Sequence, residues 1–127
     1  MLYFEDGDRK TQLAGKVVLC DSFFKRLLGA LPAGRIESGK ALLFPRCGAV
    51  HTFFMRKPID VAYFGAGGEL LKIYTRALPR RILPSGGGVV GTLELPPGCL
   101  PDEIGATARI LFDPELARSA GLPGLAM

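Results

Sequence analysis

The stretch from Cys47 to Phe64, CGAVHTFFMRKPIDVAYF, sets a thiol, the chain's single histidine, a guanidinium and a carboxylate into a run that otherwise reads as buried strand. Burying a histidine or an aspartate without a partner is costly, so each group must be paired, placed in a cleft or used. Cys47 with His51 as base and Asp60 as orienter has the residue types of a nucleophilic thiol centre. The plainer reading is a histidine bonded to a backbone carbonyl at a strand start, beside an inert thiol. The Cys47-x-x-x-His51 spacing also offers two metal ligands. A structural zinc site takes four and a catalytic one three, and the remainder would have to come from Cys20, Cys99 or Asp60, none at ligand spacing. No metal and no cofactor is therefore expected. Between Arg56 and Asp60 stands Pro58, which bends the chain and brings both side chains to one rim of the sheet. There they form a structural ion pair or line a ligand cleft.

A second cluster is basic. Arg56, Lys57, Lys72, Arg76, Arg80 and Arg81 fall in one third of the chain, opposed by Asp60 and Glu69. Arg76, Arg80 and Arg81 are the candidate anion-binding residues, with the backbone amides of Gly86-Gly87-Gly88 nearby in sequence. No lysine of the P-loop kind follows those glycines. Recognition of nucleic acid would need this charge on one face with exposed aromatics to stack bases, and a solvated basic loop is the simpler reading.

The elements that must hold these groups are mostly strands. Leu2 to Glu5 alternates and Asp6-Gly7-Asp8 signals a hairpin turn. A second strand is expected from Leu13 or Lys16 to Cys20. Asp21-Ser22 can cap a helix in which Phe24, Leu27, Leu28 and Leu31 share a face. Lys40 to Phe44 reads as strand, as do His51 to Met55 and Ile59 to Phe64 on either side of Lys57-Pro58. Gly65-Ala66-Gly67-Gly68 makes a tight turn into Glu69 to Tyr74, the clearest hairpin in the chain. Thr75 to Gly88 reads as a long connection. Val89 to Leu95 and Thr107 to Phe112 are the last strands, with a turn at Pro96-Pro97-Gly98 and a single helical turn over Leu100 to Ile104. A short helix over Pro114 to Ser119, with proline in its first turn, leads into a tail that frays.

Composition agrees with a turn-rich β domain: 127 residues, 48% apolar, with 17 glycines, 10 prolines and no tryptophan. That length suits one domain, residues 1–127, with a core of its own. No apolar run approaches the roughly 18 residues that cross a bilayer, and the start lacks the pattern of a signal peptide. Three cysteines, widely spaced, point to free thiols in a reducing compartment. A cytoplasmic protein away from membranes is expected. The net charge of +4 permits weak binding to anionic partners without demanding it.

The run His51-Thr52-Phe53-Phe54-Met55-Arg56-Lys57-Pro58-Ile59-Asp60-Val61 closely resembles the signature of a small prokaryotic family, domain-of-unknown-function family 192. Further landmarks agree in order: Phe23 to Gly29, Gly39 to Phe44, Gly65 to Leu71, and Leu93 to Gly98. The resemblance covers about Gly15 to Phe112, leaving 113–127 as a tail. It implies a mainly β (α+β) fold, a compact barrel-like, mostly antiparallel sheet with one short packed helix, and it implies no reaction. The chain departs from its relatives at Leu31-Pro32-Ala33, where they carry an arginine, and at Gly105-Ala106-Thr107, where they tend to carry an acid.

These residues point first to a non-catalytic β-rich module that binds a small ligand or a protein partner at the rim formed by Cys47, His51, Arg56 and Asp60. An enzyme using His51, Asp60 and Arg56 with Cys47 is the second reading. An anion or nucleic-acid binder acting through residues 56–88 is the third. Nucleic acid is the least expected partner, and a monomer or weak dimer is the expected state.

Overall fold

The computed structural model describes residues 1–20, 36–46, 49–52 and 55–127, and for 49–51 the backbone path alone. Strands β1 (Leu2–Asp6) and β2 (Arg9–Ala14) form a hairpin, and β10 (Arg109–Phe112) pairs antiparallel with the other edge of β1. A five-stranded sheet follows the order β3 (Lys16–Leu19), β4 (Lys40–Pro45), β9 (Gly91–Leu95), β6 (Ile59–Phe64) and β7 (Leu70–Ala77). Only the β3–β4 pair is parallel in that sheet. Two short strands, β5 (Ala49–His51) and β8 (Ile82–Pro84), pair antiparallel with each other.

The central strands are buried on both faces. This is why KALLFP, IDVAYF and GTLEL read as nearly continuous apolar runs without strict alternation. Leu43, Ala62, Phe64, Leu93 and Leu95 share one core with Leu2, Ile110 and Phe112 of the three-stranded sheet. Leu42, Phe44, Val61 and Tyr63 face the other way, into a second core with Cys20, Ile36, Met55 and Leu83. We call these the inner and outer faces.

The β6–β7 hairpin expected at Gly65-Ala66-Gly67-Gly68 is present, within a sheet of five strands. Gly68 sits at φ +84°, and a Cβ there would lie 2.5 Å from the carbonyl oxygen of Ile110. Both the dihedral and the space therefore require glycine. This close approach joins the two larger sheets at a corner, where Ile110 N–H bonds Gly68 O at 2.9 Å and Leu70 N–H bonds Ala108 O at 3.2 Å. The chain makes another corner at Gly15, passing from β2 directly into β3. These contacts do not pair whole strands, so among the described residues the sheets stay open and the barrel-like closure is not formed.

Several elements differ from expectation. β2 begins at Arg9, because an edge strand exposed along Arg9 to Gln12 tolerates polar residues that hide its pattern. The strand expected from His51 to Met55 ends at His51. Residues 75–88 hold the end of β7 and all of β8. No helical turn forms over Leu100 to Ile104. The helix expected at Pro114 to Ser119 is α1, over those residues, capped by the Asp113 carboxylate, which accepts Leu116 N–H at 3.3 Å. Its sequel does not fray. Leu125 is fully buried in a 3-10 turn, and Met127 N–H bonds Phe112 O at 2.9 Å, so the tail closes the inner core. The amphipathic helix expected after Asp21 lies outside the described residues.

Candidate functional site

Asp60 stands on the inner face of β6, opposite Leu95 of β9, and is fully buried. Ile59 pairs with Ala77 and Val61 with Tyr74, so Asp60 alone faces both Thr75 and Arg76 of β7. That is a bulge of one residue against two. The carboxylate closes it: Oδ1 accepts the Arg76 amide at 2.8 Å and the Gly98 amide at 3.1 Å, and Oδ2 accepts the Leu100 amide at 2.8 Å. Arg76 takes φ +51°, uncommon for a side chain with a Cβ, and Gly98 takes φ +86°. One carboxylate thus holds the end of β7 and the turn after β9 in conformations the backbone does not favour alone.

The ion pair expected between Arg56 and Asp60 is absent. Arg56 is exposed, and Asp60 takes backbone donors, because the bulge turns three amides toward it. The rim expected to unite Cys47, His51, Arg56 and Asp60 is described only in part. Cys47 lies outside the described residues. His51 lies on β5 with its backbone in register with Ile82.

Thr52 is the motif's second clamp, and sequence reasoning passed over it. It is fully buried; its hydroxyl donates to Leu78 O at 2.7 Å and accepts Arg81 N–H at 2.8 Å. Its own amide donates to Arg81 O at 2.9 Å, and its carbonyl accepts Arg80 N–H at 3.0 Å. A buried threonine between strand and loop is ambiguous in sequence, since hydroxyls bond to backbone in many settings. Beyond it, the Tyr63 phenol donates to Leu83 O and the Tyr74 phenol to Pro84 O at 2.6 Å, fastening β8 to the sheet. The two rings meet edge to face with centroids 6.3 Å apart.

The segment so held carries the basic residues outward. Arg76, Arg80 and Arg81 are exposed, as are Arg56 and Lys57 in the neighbouring loop. Arg76 makes a long 3.5 Å ion pair with exposed Asp102. Leu78 and Ile82 stand among these cations with 53% and 69% of their surface exposed, among the most exposed large apolar side chains described. Arg80 also takes φ +63°.

Of the two described thiols, Cys20 is buried and Cys99 half-buried, and neither forms a disulfide. Burial, and then the Asp60 charge, push the Cys99 thiol above its ordinary range, which disfavours the reactive thiolate. Among the described residues no group of three histidine, cysteine or acidic side chains could hold a metal. No described helix is long and apolar enough to cross a membrane.

The model of the DUF192 family, described as "Uncharacterized ACR", matches residues 5–109. The chain belongs to this family. A UPF0127 protein of Thermococcus sibiricus is 31% identical over 90 residues, covering 68% of this chain. The match spans 58% of that relative's length. Two solved structures share the fold seen here, each with a TM-score of 0.71. One is a proposed transcription regulator from Sinorhizobium meliloti 1021, at 19% identity, covering 86% of this chain and 89% of that one. The other is a protein of unknown function from Novosphingobium aromaticivorans, at 15% identity, covering 87% and 83%. At those identities the likeness is one of fold. In this chain the run from His51 to Val61 begins on β5 and ends on β6, and its Thr52 and Asp60 are backbone clamps.

Proposed function

We propose that this chain is a non-catalytic binding module that docks an acidic protein segment on the ledge formed by residues 56–57 and 76–82. One observation carries the reading. The two polar side chains of the signature that can be followed inward, Thr52 and Asp60, both serve the backbone of the segment from Arg76 to Arg81. They position a surface instead of facing a substrate. The Asp60 carboxylate is fully buried and accepts three backbone amides, so it serves the fold in place of a substrate.

The ledge offers arginines around exposed Leu78 and Ile82. Arginine supplies steering and paired hydrogen bonds to carboxylates, while the apolar side chains supply desolvated contact. A strand of nucleic acid would want exposed aromatics on which to stack. Tyr74, the ring nearest the ledge in sequence, is half-buried beneath the Lys72 ammonium, which lies 5.3 Å from its centroid.

Fluorescence anisotropy with a labelled glutamate–leucine peptide, a glutamate-only peptide and a DNA duplex tests the reading. Tightest binding to the mixed peptide is expected, weakened at least tenfold by Arg80→Glu with Arg81→Glu and also by Leu78→Ser with Ile82→Ser. Preference for the duplex, or indifference to both double variants, overturns it.

A further inference from the structure

At the edge of the inner core the β1–β2 hairpin and the loop after β9 stand apart, leaving a cleft of about 390 Å³. One wall is a single face of the hairpin. Phe4 pairs with Thr11 and Asp6 with Arg9, and alternate residues of a strand share a face, so these side chains lie together. Leu13 continues that face, and the opposite wall runs from Gly98 to Pro101 with Glu103. The floor is apolar: Phe4, Leu13 and Cys99 pack half-buried against the inner core, and Leu100 belongs to it.

Both walls are fixed by the fold. Asp60 holds the Gly98 amide at 3.1 Å and the Leu100 amide at 2.8 Å, which sets the course of the loop. On the other side Asp6 Oδ1 accepts the Thr107 hydroxyl at 2.9 Å, and Glu5 accepts Arg109 Nε–H at 3.1 Å. A ligand entering such a cleft need not order it first.

The mouth carries charge of both signs. Lys10 is turned to the other face of the hairpin, over the Tyr3 ring at 5.0 Å, so Arg9 is the one cation among the lining residues. Arg9 stands opposite Asp6 in register, yet no ion pair joins them. Among the described residues neither Arg9 nor Glu103 has a hydrogen bond or ion pair, and Asp6 has given up one oxygen only. A guanidinium and two carboxylates that do not neutralise one another, above an apolar floor, match a ligand that carries both charges and an apolar group.

We propose that this cleft binds a free α-amino acid with an apolar side chain. Arg9 takes its carboxylate, Asp6 and Glu103 its ammonium, and the floor of Phe4, Leu13 and Leu100 its side chain. No lining residue belongs to 56–57 or 76–82, so the cleft and the ledge stand or fall separately.

NMR titration of the isotope-labelled protein at neutral pH tests it with two sets of probes. Leucine is compared with isoamylamine and isocaproate, and phenylalanine with phenethylamine and hydrocinnamate. In each set one analogue lacks the carboxylate and the other the ammonium. Either amino acid at millimolar concentration is expected to shift the amides of Thr11, Cys99 and Leu100 saturably, with binding at least tenfold weaker for each analogue. Arg9→Gln should reduce the amino acid to the level of its amine. Asp6→Asn with Glu103→Gln should reduce it to the level of its acid, while the asparagine keeps an oxygen for Thr107. No saturable shift in the parent, an analogue that binds as tightly as its amino acid, or variants that keep the parent's preference overturns the proposal. Should the variants not fold, alkylation of Cys99 in the parent decides, followed by peptide mass. The amino acids must slow its reaction with N-ethylmaleimide more than their analogues do, and equal rates count against the site.

Discussion

Asp60 and Glu94 are buried acids one register position apart on adjacent strands, with Asp60 opposite Leu95 and Glu94 opposite Val61, and they face opposite sides of the same sheet. Their environments divide their roles. On the inner face Asp60 meets amides that a bulge and a turn point at it, so its charge is solvated by the fold. On the outer face, among the described residues, Glu94 is surrounded by apolar side chains and receives no amide, so burial pushes its carboxyl up. A carboxylate with three backbone donors is held charged as part of the scaffold, whereas burial without such donors favours the neutral carboxyl.

Asp60→Ala is expected to lower stability by about 3–5 kcal/mol, since it leaves three amides without their acceptor in a buried site. Asp60→Asn should lose nearly as much, because it removes the charge and turns an amide donor toward other donors. Arg56→Ala, at an exposed position without a partner in that network, should stay within about 0.5 kcal/mol of the parent. Urea unfolding of the three variants measures this. Equal losses for Arg56→Ala and Asp60→Ala would restore the ion pair that the structure does not contain.

Thr52→Val keeps the shape of the side chain and removes the hydroxyl that bonds Leu78 O and Arg81 N–H. A cost of about 1–3 kcal/mol is expected. The change should be local: amide exchange at Arg80 and Arg81 should quicken, while Val61 to Tyr63 on β6 keeps its protection. Hydrogen exchange followed by mass spectrometry or NMR reads both, and uniform loss across the sheet would show that Thr52 does more than hold the ledge.

How much of this was legible in the sequence follows from where each signal originates. Period and turn chemistry revealed β4, β6, the Gly65–Gly68 turn and α1, because burial on two faces and the demands of positive φ act locally. β2 and β8 were hidden, one by polar residues on an exposed edge and the other by its three-residue length. Asp60 stood out as chemistry, but its partners are amides at 76, 98 and 100, and no side-chain pattern announces a backbone donor. Glu94 went unremarked because one acid within LEL reads as an exposed position on an alternating strand. Only the pairing of β9 with both β4 and β6 shows otherwise.

Asp113→Ala should cost about 1 kcal/mol by uncapping α1, whose Leu116 amide then lacks its acceptor. Because Ala117, Ala120 and Leu125 are buried in the inner core, the loss should appear in global unfolding and not as fraying alone. Calorimetry beside Arg118→Ala, an exposed change on the same helix, separates the two. An unaltered Tm for Asp113→Ala would mean the tail docks independently of its cap.

Glu94 also sets a pH dependence with a definite sign. Its carboxyl titrates at about 7 in the folded protein against 4.5 for the ordinary group. Between those values the folded state holds a proton that the unfolded chain has released, so stability must fall as pH rises. The contribution is fully present below pH 4.5 and lost once the pH has passed about 7. The whole drop amounts to about 3 kcal/mol. Glu94→Gln, neutral throughout, should flatten that slope and stand above the parent at pH 8 by a similar amount. Guanidinium unfolding of both proteins at half-unit steps from pH 4.5 to 8.5 gives the two curves. Parallel curves would mean that the Glu94 carboxylate finds a counter-charge in the folded chain.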